Sequence, residues 1–127
     1  MTGVDRADEQ SSPALSAEAS SRFLKGVELI RAGEYFAAHE ELELAWRDAP
    51  QPERDFFQGL VHVAVAWYQA GRGNRVGCER QLEKAARRLG PFAPEHCGVD
   101  VASLLDQVAA AQAVVAGGSL ELAKPRL

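Results

Sequence analysis

Cysteine is scarce in this sequence: Cys78 and Cys97 are the whole complement of 127 residues, and no Cys-x-x-Cys spacing joins them. A disulfide framework and a structural zinc site are therefore not expected, and free, partly buried thiols in a reducing cytoplasm are. Long apolar runs are missing as well. The longest, Leu60 to Tyr68, is broken by His62 and falls far short of the roughly 20 residues that a bilayer crossing needs. There is no excess of positive charge either, since the net charge is −4, which runs against a general nucleic-acid binder. The stretch Met1 to Ser20 lacks the basic start and apolar centre of a signal peptide. It is rich in Ser, Ala, Asp and Glu with a lone Pro13, too poor in apolar residues to dock, and it reads as a disordered tail over 1–20.

What is present is the make-up of one ordinary soluble domain, 46% apolar and 25% charged. A chain of this length buries roughly two-thirds of its unfolded surface, enough for a single core without staples. Helical patterning fills the middle, over 21–116. Ser20 or Ser21 is a suitable N-cap for a first helix to about Ala32, carrying Phe23, Leu24, Val27 and Ile30, with Gly33 after its end. Glu34 suits the positive end of a second helix that runs to about Asp48 and stops before Ala49-Pro50. A third, Glu53 to Ala70, is apolar on nearly every side, so it needs neighbours all round and reads as the central strut. Asn74 caps a fourth, Arg75 to Leu89, apolar on one stripe only. Gly90-Pro91-Phe92-Ala93-Pro94 forbids helix and predicts a stiff connection folded back by burial of Phe92. Asp100 caps a fifth helix, Val101 to Ala116, and residues 117–127 are expected to be loosely attached.

A faint repeat runs at an offset of 40: Gly33, Ala37, Leu42 and Ala45 recur as Gly73, Gly77, Leu82 and Ala85, with Val27 matched by Trp67. In each copy an apolar helix ends at glycine and the next begins with small residues that permit close approach. That predicts two stacked helical hairpins of the tetratricopeptide kind plus a C-terminal helix, although two copies fall short of the three or more that solenoids usually need.

One stretch combines ionisable and aromatic residues on an apolar stripe. At helical spacing Phe36, His39, Leu42, Glu43 and Trp46 share a face. Polar groups buried there would cost roughly 1–3 kcal/mol each unless partnered. Gln58 and His62, one turn apart on the next helix, could converge on them.

The blocks Gly26-Val-Glu-Leu-Ile-Arg-Ala-Gly-Glu-Tyr-Phe-Ala-Ala-His-Glu-Glu-Leu-Glu-Leu-Ala-Trp46, Phe57-Gln-Gly-Leu-Val, Arg72-Gly-Asn74 and Gly98-Val-Asp100 resemble the successive signatures of the domain-of-unknown-function 309 family. These are small, all-helical prokaryotic proteins, and the likeness spans about Arg22 to Val115. It implies a compact all-α bundle and no activity. The family's motif falls on Gly33, Glu34, Phe36, His39, Glu40, Glu43, Trp46, Gln58 and Gly59. His62 stands where relatives often carry an amide.

The expected function is that of a small cytoplasmic binding module with a polar pocket between helices two and three, built from His39, Glu43, Gln58, His62, Trp46 and Tyr35. Its ligand would be a small molecule or a protein. In the bland form of this reading the polar groups are a hydrogen-bonded knot that fixes helix register. The enzymatic alternative is a metal-dependent hydrolase in which His39, Glu43 and His62 hold zinc, manganese or iron and Glu40 is general base on a bound water. His-Glu-x-x-Glu lacks the second histidine of the zinc-protease signature. The third alternative is a purely structural homodimeric scaffold. Adjacent His96 and Cys97 suggest a thiol with a base, but no third, orienting group is identifiable in the sequence. The basic residues Arg72, Arg75, Arg80, Lys84, Arg87 and Arg88 suit an anion, yet Glu79 and Glu83 between them favour a solvated, salt-bridged face.

Overall fold

The computed structural model describes residues 15–127, so residues 1–14 of the expected tail lie outside the described part. Five helices pack as a bundle: α1 (Ala17–Arg31), α2 (Tyr35–Asp48), α3 (Glu53–Gly71), α4 (Arg75–Leu89) and α5 (Val101–Ala116). A 3-10 turn, Gly90–Phe92, and a two-stranded hairpin, β1 (Glu95–His96) with β2 (Val99–Asp100), connect α4 to α5. Among the described residues no helix is long and apolar enough to cross a membrane.

The first helix starts a turn earlier than Ser20 or Ser21 would place it. Ser16 is the cap, its hydroxyl accepting from the Ala19 N–H at 3.0 Å, because Ala17, Glu18 and Ala19 are helix-compatible and Ala19 is buried. Asn74 and Asp100 cap α4 and α5 as their sequence positions predict, accepting from Gly77 and Ser103 N–H at 2.9 Å each.

The repeat is real in three dimensions. After α1 the Gly33 N–H reaches Ile30 O at 3.0 Å and Glu34 N–H reaches Leu29 O at 2.8 Å. After α3 the same pair of bonds recurs at an offset of 40, Gly73 to Ala70 at 3.1 Å and Asn74 to Gln69 at 2.9 Å. Both turn glycines have positive φ, +82° and +75°, the left-handed conformation that lets the chain leave a helix while closing its last carbonyls. Buried positions obey the same offset: Ala19, Phe23, Gly26, Val27 and Ile30 of α1 correspond to buried Gly59, Val63, Ala66, Trp67 and Ala70 of α3. Ala38, Leu42, Ala45 and Ala49 correspond to buried Cys78, Leu82, Ala85 and Leu89.

Small residues set how close the helices come. A Cβ on Gly59 would stand 2.6 Å from a Leu89 methyl, so α3 meets α4 there without side-chain spacing. The strut is α3, with Phe56, Phe57, Leu60, Val63 and Ala64 fully buried, and Phe23 of α1 stacks on Phe57 with ring centroids 5.0 Å apart.

Residues after Gly118 are held where loose attachment was expected. The Trp67 indole N–H donates to Ala123 O at 3.0 Å, the Gln107 amide clamps Arg126 N–H and O at 2.7 and 2.8 Å, and Arg31 donates to Leu127 O at 2.9 Å. Leu120, Leu122 and Leu127 lie on the core. An extended chain carries no periodic signal, so its partners on distant helices are invisible in the sequence.

The hairpin between α4 and α5 was likewise not foreseen. Its two-residue turn is Cys97-Gly98, both with positive φ, 51° and 77°, the type I′ geometry that matches the twist of paired strands. Strands of two residues are too short to show alternation, and cysteine is not a usual residue of such a turn.

Candidate functional site

The stripe that α2 turns to the core is Ala38, Leu42 and Ala45: the two alanines allow close packing, and Leu42 sits against Gly26 of α1, where a Cβ would stand 2.5 Å from it. Phe36, His39, Glu43 and Trp46 therefore sit on its flank and not inward as the helical spacing suggested. Phe36 is 49% exposed, and the Glu43 side chain 43%.

On that flank His39 is oriented by its own helix. Its Nδ1–H donates to the Phe36 carbonyl at 2.9 Å, which leaves Nε2 to face Glu43 Oε1 at 3.4 Å. Phe36 stands between the imidazole and Tyr68 of α3, with ring centroids 5.0 and 5.2 Å away. Tyr35, Phe36, His39, Val65, Tyr68 and Gln69 line a cavity of about 180 Å³. A second depression of about 460 Å³ shares Tyr35, Phe36 and Tyr68 and continues over the hairpin turn, past Gly33, Trp67 and Arg72. Burial raises the Tyr35 hydroxyl above its ordinary pKa, so it stays a neutral donor. The Arg72 guanidinium lies over the Tyr68 ring at 5.6 Å.

The other expected members go elsewhere. His62 donates from Nδ1–H to Gln81 Oε1 of α4 at 2.7 Å. That bond is the offset-40 counterpart of Arg22 to Glu41 at 3.1 Å, which joins α1 to α2, so each hairpin carries one cross-link at the same position. His62 belongs to the register of α3 on α4. Trp46 lies a turn beyond Glu43 with the Arg54 guanidinium 4.9 Å above its ring. Gln58 is half-buried and makes no side-chain hydrogen bond to another described residue, and Glu40 is exposed. The donor trio His39, Glu43 and His62 is not gathered: among the described residues, the one group of three metal-type donors lying within 4.8 Å of one another is Glu53, His96 and Cys97.

That group borders a cleft at the start of α3, about 730 Å³ in volume, lined by Pro52, Asp55, Arg87, Arg88, Phe92 and His96 among others. The His96 ring is wedged between Phe56 and Phe92, both centroids 4.8 Å away, and its Nε2 stands 3.3 Å from Glu53 Oε2. Nε2 is buried and makes no hydrogen bond to a described residue. Glu53 is the third group that the sequence did not disclose, because the fold alone brings the first turn of α3 to the hairpin. Although Cys97 is exposed at the turn, partial desolvation and then the carboxylates of Glu53 and Glu95 push its thiol up, which keeps it protonated and removes the case for an activated nucleophile. Of the basic residues, Arg75 meets Glu79 at 3.4 Å as expected, whereas Arg88 reaches across to Asp55 of α3 at 3.2 Å.

The family profile described as "Domain of unknown function (DUF309)" matches residues 23–81. Over that segment the chain is similar to the DUF309 family. It is also similar to an uncharacterized protein, YpuF, of Bacillus subtilis (strain 168), 34% identical over 83 residues. That likeness covers 63% of this chain and 48% of the relative, so the chain spans about half the length of the curated relative it matches. No solved structure matches. The matched segment holds the His62–Gln81 cross-link, the aromatic flank of α2 and Glu53; it begins one residue after Arg22 and ends at Gln81, short of His96 and Cys97.

Proposed function

We propose that the protein is a small helical interaction module that docks a partner protein segment along the groove between α2 and α3, seating one apolar side chain against Phe36, Val65 and Tyr68. The observation that carries this reading is the half-exposed Phe36 standing between two joined depressions that share Tyr35 and Tyr68. The smaller depression, about 180 Å³, is below the roughly 300–1,000 Å³ of ordinary cofactor and drug-sized sites, and suits a single side chain. Polar groups at its margins, the His39–Glu43 pair and Arg72, suit backbone and charged atoms of an extended segment. A metal-dependent hydrolase at this place has less support, since only His39 and Glu43 face each other while His62 is turned to Gln81 of α4, and Glu40 has no gathered ion site beside it. A cytoplasmic setting accords with the two free thiols.

The test is an amide NMR titration with N-acetyl-leucinamide and N-acetyl-phenylalaninamide. Saturable shifts confined to residues 35–39 and 65–72, lost in Phe36→Ala, are expected. Absence of saturable shifts, or shifts indifferent to the substitution, overturns the proposal. Concentration-dependent sedimentation that Phe36→Ala abolishes would make the occupant a second copy, the homodimeric scaffold.

A further inference from the structure

We propose that Glu53, His96 and Cys97 form a three-donor site for a divalent transition-metal ion of the zinc class, with its fourth position open to solvent at the tip of the β-hairpin. The site opens α3, whereas the docking groove lies along its far half, so the two proposals stand or fall separately.

The separation of Glu53 from His96 is the first argument. At 3.3 Å the pair is close, yet Nε2 makes no hydrogen bond to a described residue, although burial makes an unpartnered ring nitrogen costly. Two ligand atoms about 2.0–2.1 Å from a tetrahedral ion stand roughly 3.3–3.4 Å apart, so an ion between them satisfies both atoms with little movement. Cys97 Sγ lies within 4.8 Å of a ligand atom on each of the other two residues and moves in by up to roughly 1.3 Å to reach the roughly 2.3 Å of a zinc–sulfur bond. Because Cys97 is exposed at the turn, a rotamer change can supply that movement.

The donor chemistry is the second argument. One carboxylate oxygen, one imidazole nitrogen and one sulfur form a borderline-to-soft set, which selects zinc or cobalt over magnesium or calcium. Three protein ligands with an open position is the arrangement of zinc centres that exchange a water or substrate. The ligand arms are braced: Glu53 by the first turn of α3, and His96 by the Phe56 and Phe92 rings on its two sides. Local charge is favourable, with Glu95 next to His96 in the hairpin and its carboxylate accepting from the Gly98 N–H at 3.0 Å, while the nearby Arg88 is paired with Asp55. On binding, the Cys97 S–H bond breaks, the sulfur–metal bond forms with the sulfur's electron pair, and the proton passes to solvent.

Cobalt(II) titrated into the full chain, purified without a histidine tag, tests the site. One equivalent is expected to raise a near-ultraviolet thiolate-to-cobalt charge-transfer band and the intense visible bands of a tetrahedral ion, and zinc is expected to bleach both. Cys97→Ser removes the charge-transfer band, Cys78→Ser leaves it, and Glu53→Gln weakens uptake several-fold. Since His96→Gln disturbs an aromatic cluster and can unfold the chain, the exposed Cys97→Ser substitution is the deciding variant. No band at one equivalent, or a band that survives Cys97→Ser, overturns the assignment.

Discussion

The hairpins α1–α2 and α3–α4 share one frame at an offset of 40, and what differs between them shows where the chain departs from pure architecture. Turns, buried positions and one cross-link in each hairpin coincide. The departures are two. Helix α3 buries an extra face, Phe56, Phe57, Leu60 and Ala64, where α1 has Ser16, Ala17, Ser20 and Leu24 at the corresponding places. Helix α2 carries Phe36, His39 and Trp46 where α4 has Val76, Glu79 and Ala86. The first difference follows from position in the stack, since only α3 has neighbours on every side. At Phe36 the second has no packing cause, because Phe36 and Val76 are both about half exposed, and this is why the aromatic flank of α2 is the better site candidate.

The comparison is most severely tested by truncation. Phe57→Ala is expected to cost about 3–5 kcal/mol in denaturant unfolding, whereas Leu24→Ala on the corresponding exposed side of α1 stays within about 0.5 kcal/mol. Equal effects would show that α3 is no more a strut than α1. Leu42→Ala and Leu82→Ala occupy matching buried places and are each expected to cost about 2–5 kcal/mol, with the repeat frame failing if one of them is silent.

The cross-links sharpen the comparison through pH. Burial foremost lowers the His62 pKa; the Gln81 hydrogen bond opposes this, and the charges of Lys84, Arg88 and Arg87 add to the lowering. As pH falls through the ordinary value of 6.5, the unfolded chain therefore takes up this proton before the folded one, and stability drops. Above that value both states are neutral at this ring and the effect vanishes. His62→Gln is expected to flatten this part of the acid limb, while Arg22→Gln leaves it unchanged; identical limbs in wild type and His62→Gln would refute the account. Smallest of all, a double-mutant cycle on Arg22 and Glu41 is expected to return roughly 0.2–1 kcal/mol, because the arginine is more than a third exposed and solvent screens the pair.

Much of this was legible in sequence, for a physical reason that particular residues make plain. Helix boundaries at Asp48, Leu89 and Ala116 follow from Pro50, Pro91 and Gly117, and the caps Asn74 and Asp100 act within three residues of themselves. The face of α2 was misjudged because helical spacing alone does not say whether Ala38 and Ala45 or Phe36 and His39 meet the core.

Local chemistry thus determined the helices, their ends and the doubled hairpin, since each rests on bonds or periodicities spanning a few residues. Only the tertiary structure decided that His62 answers to Gln81, that residues 117–127 lie clamped by Trp67 and Gln107, and that Glu53 meets His96. Those meetings join residues distant in the chain, and nothing in the order of a sequence fixes a distance that depends on how several helices stack.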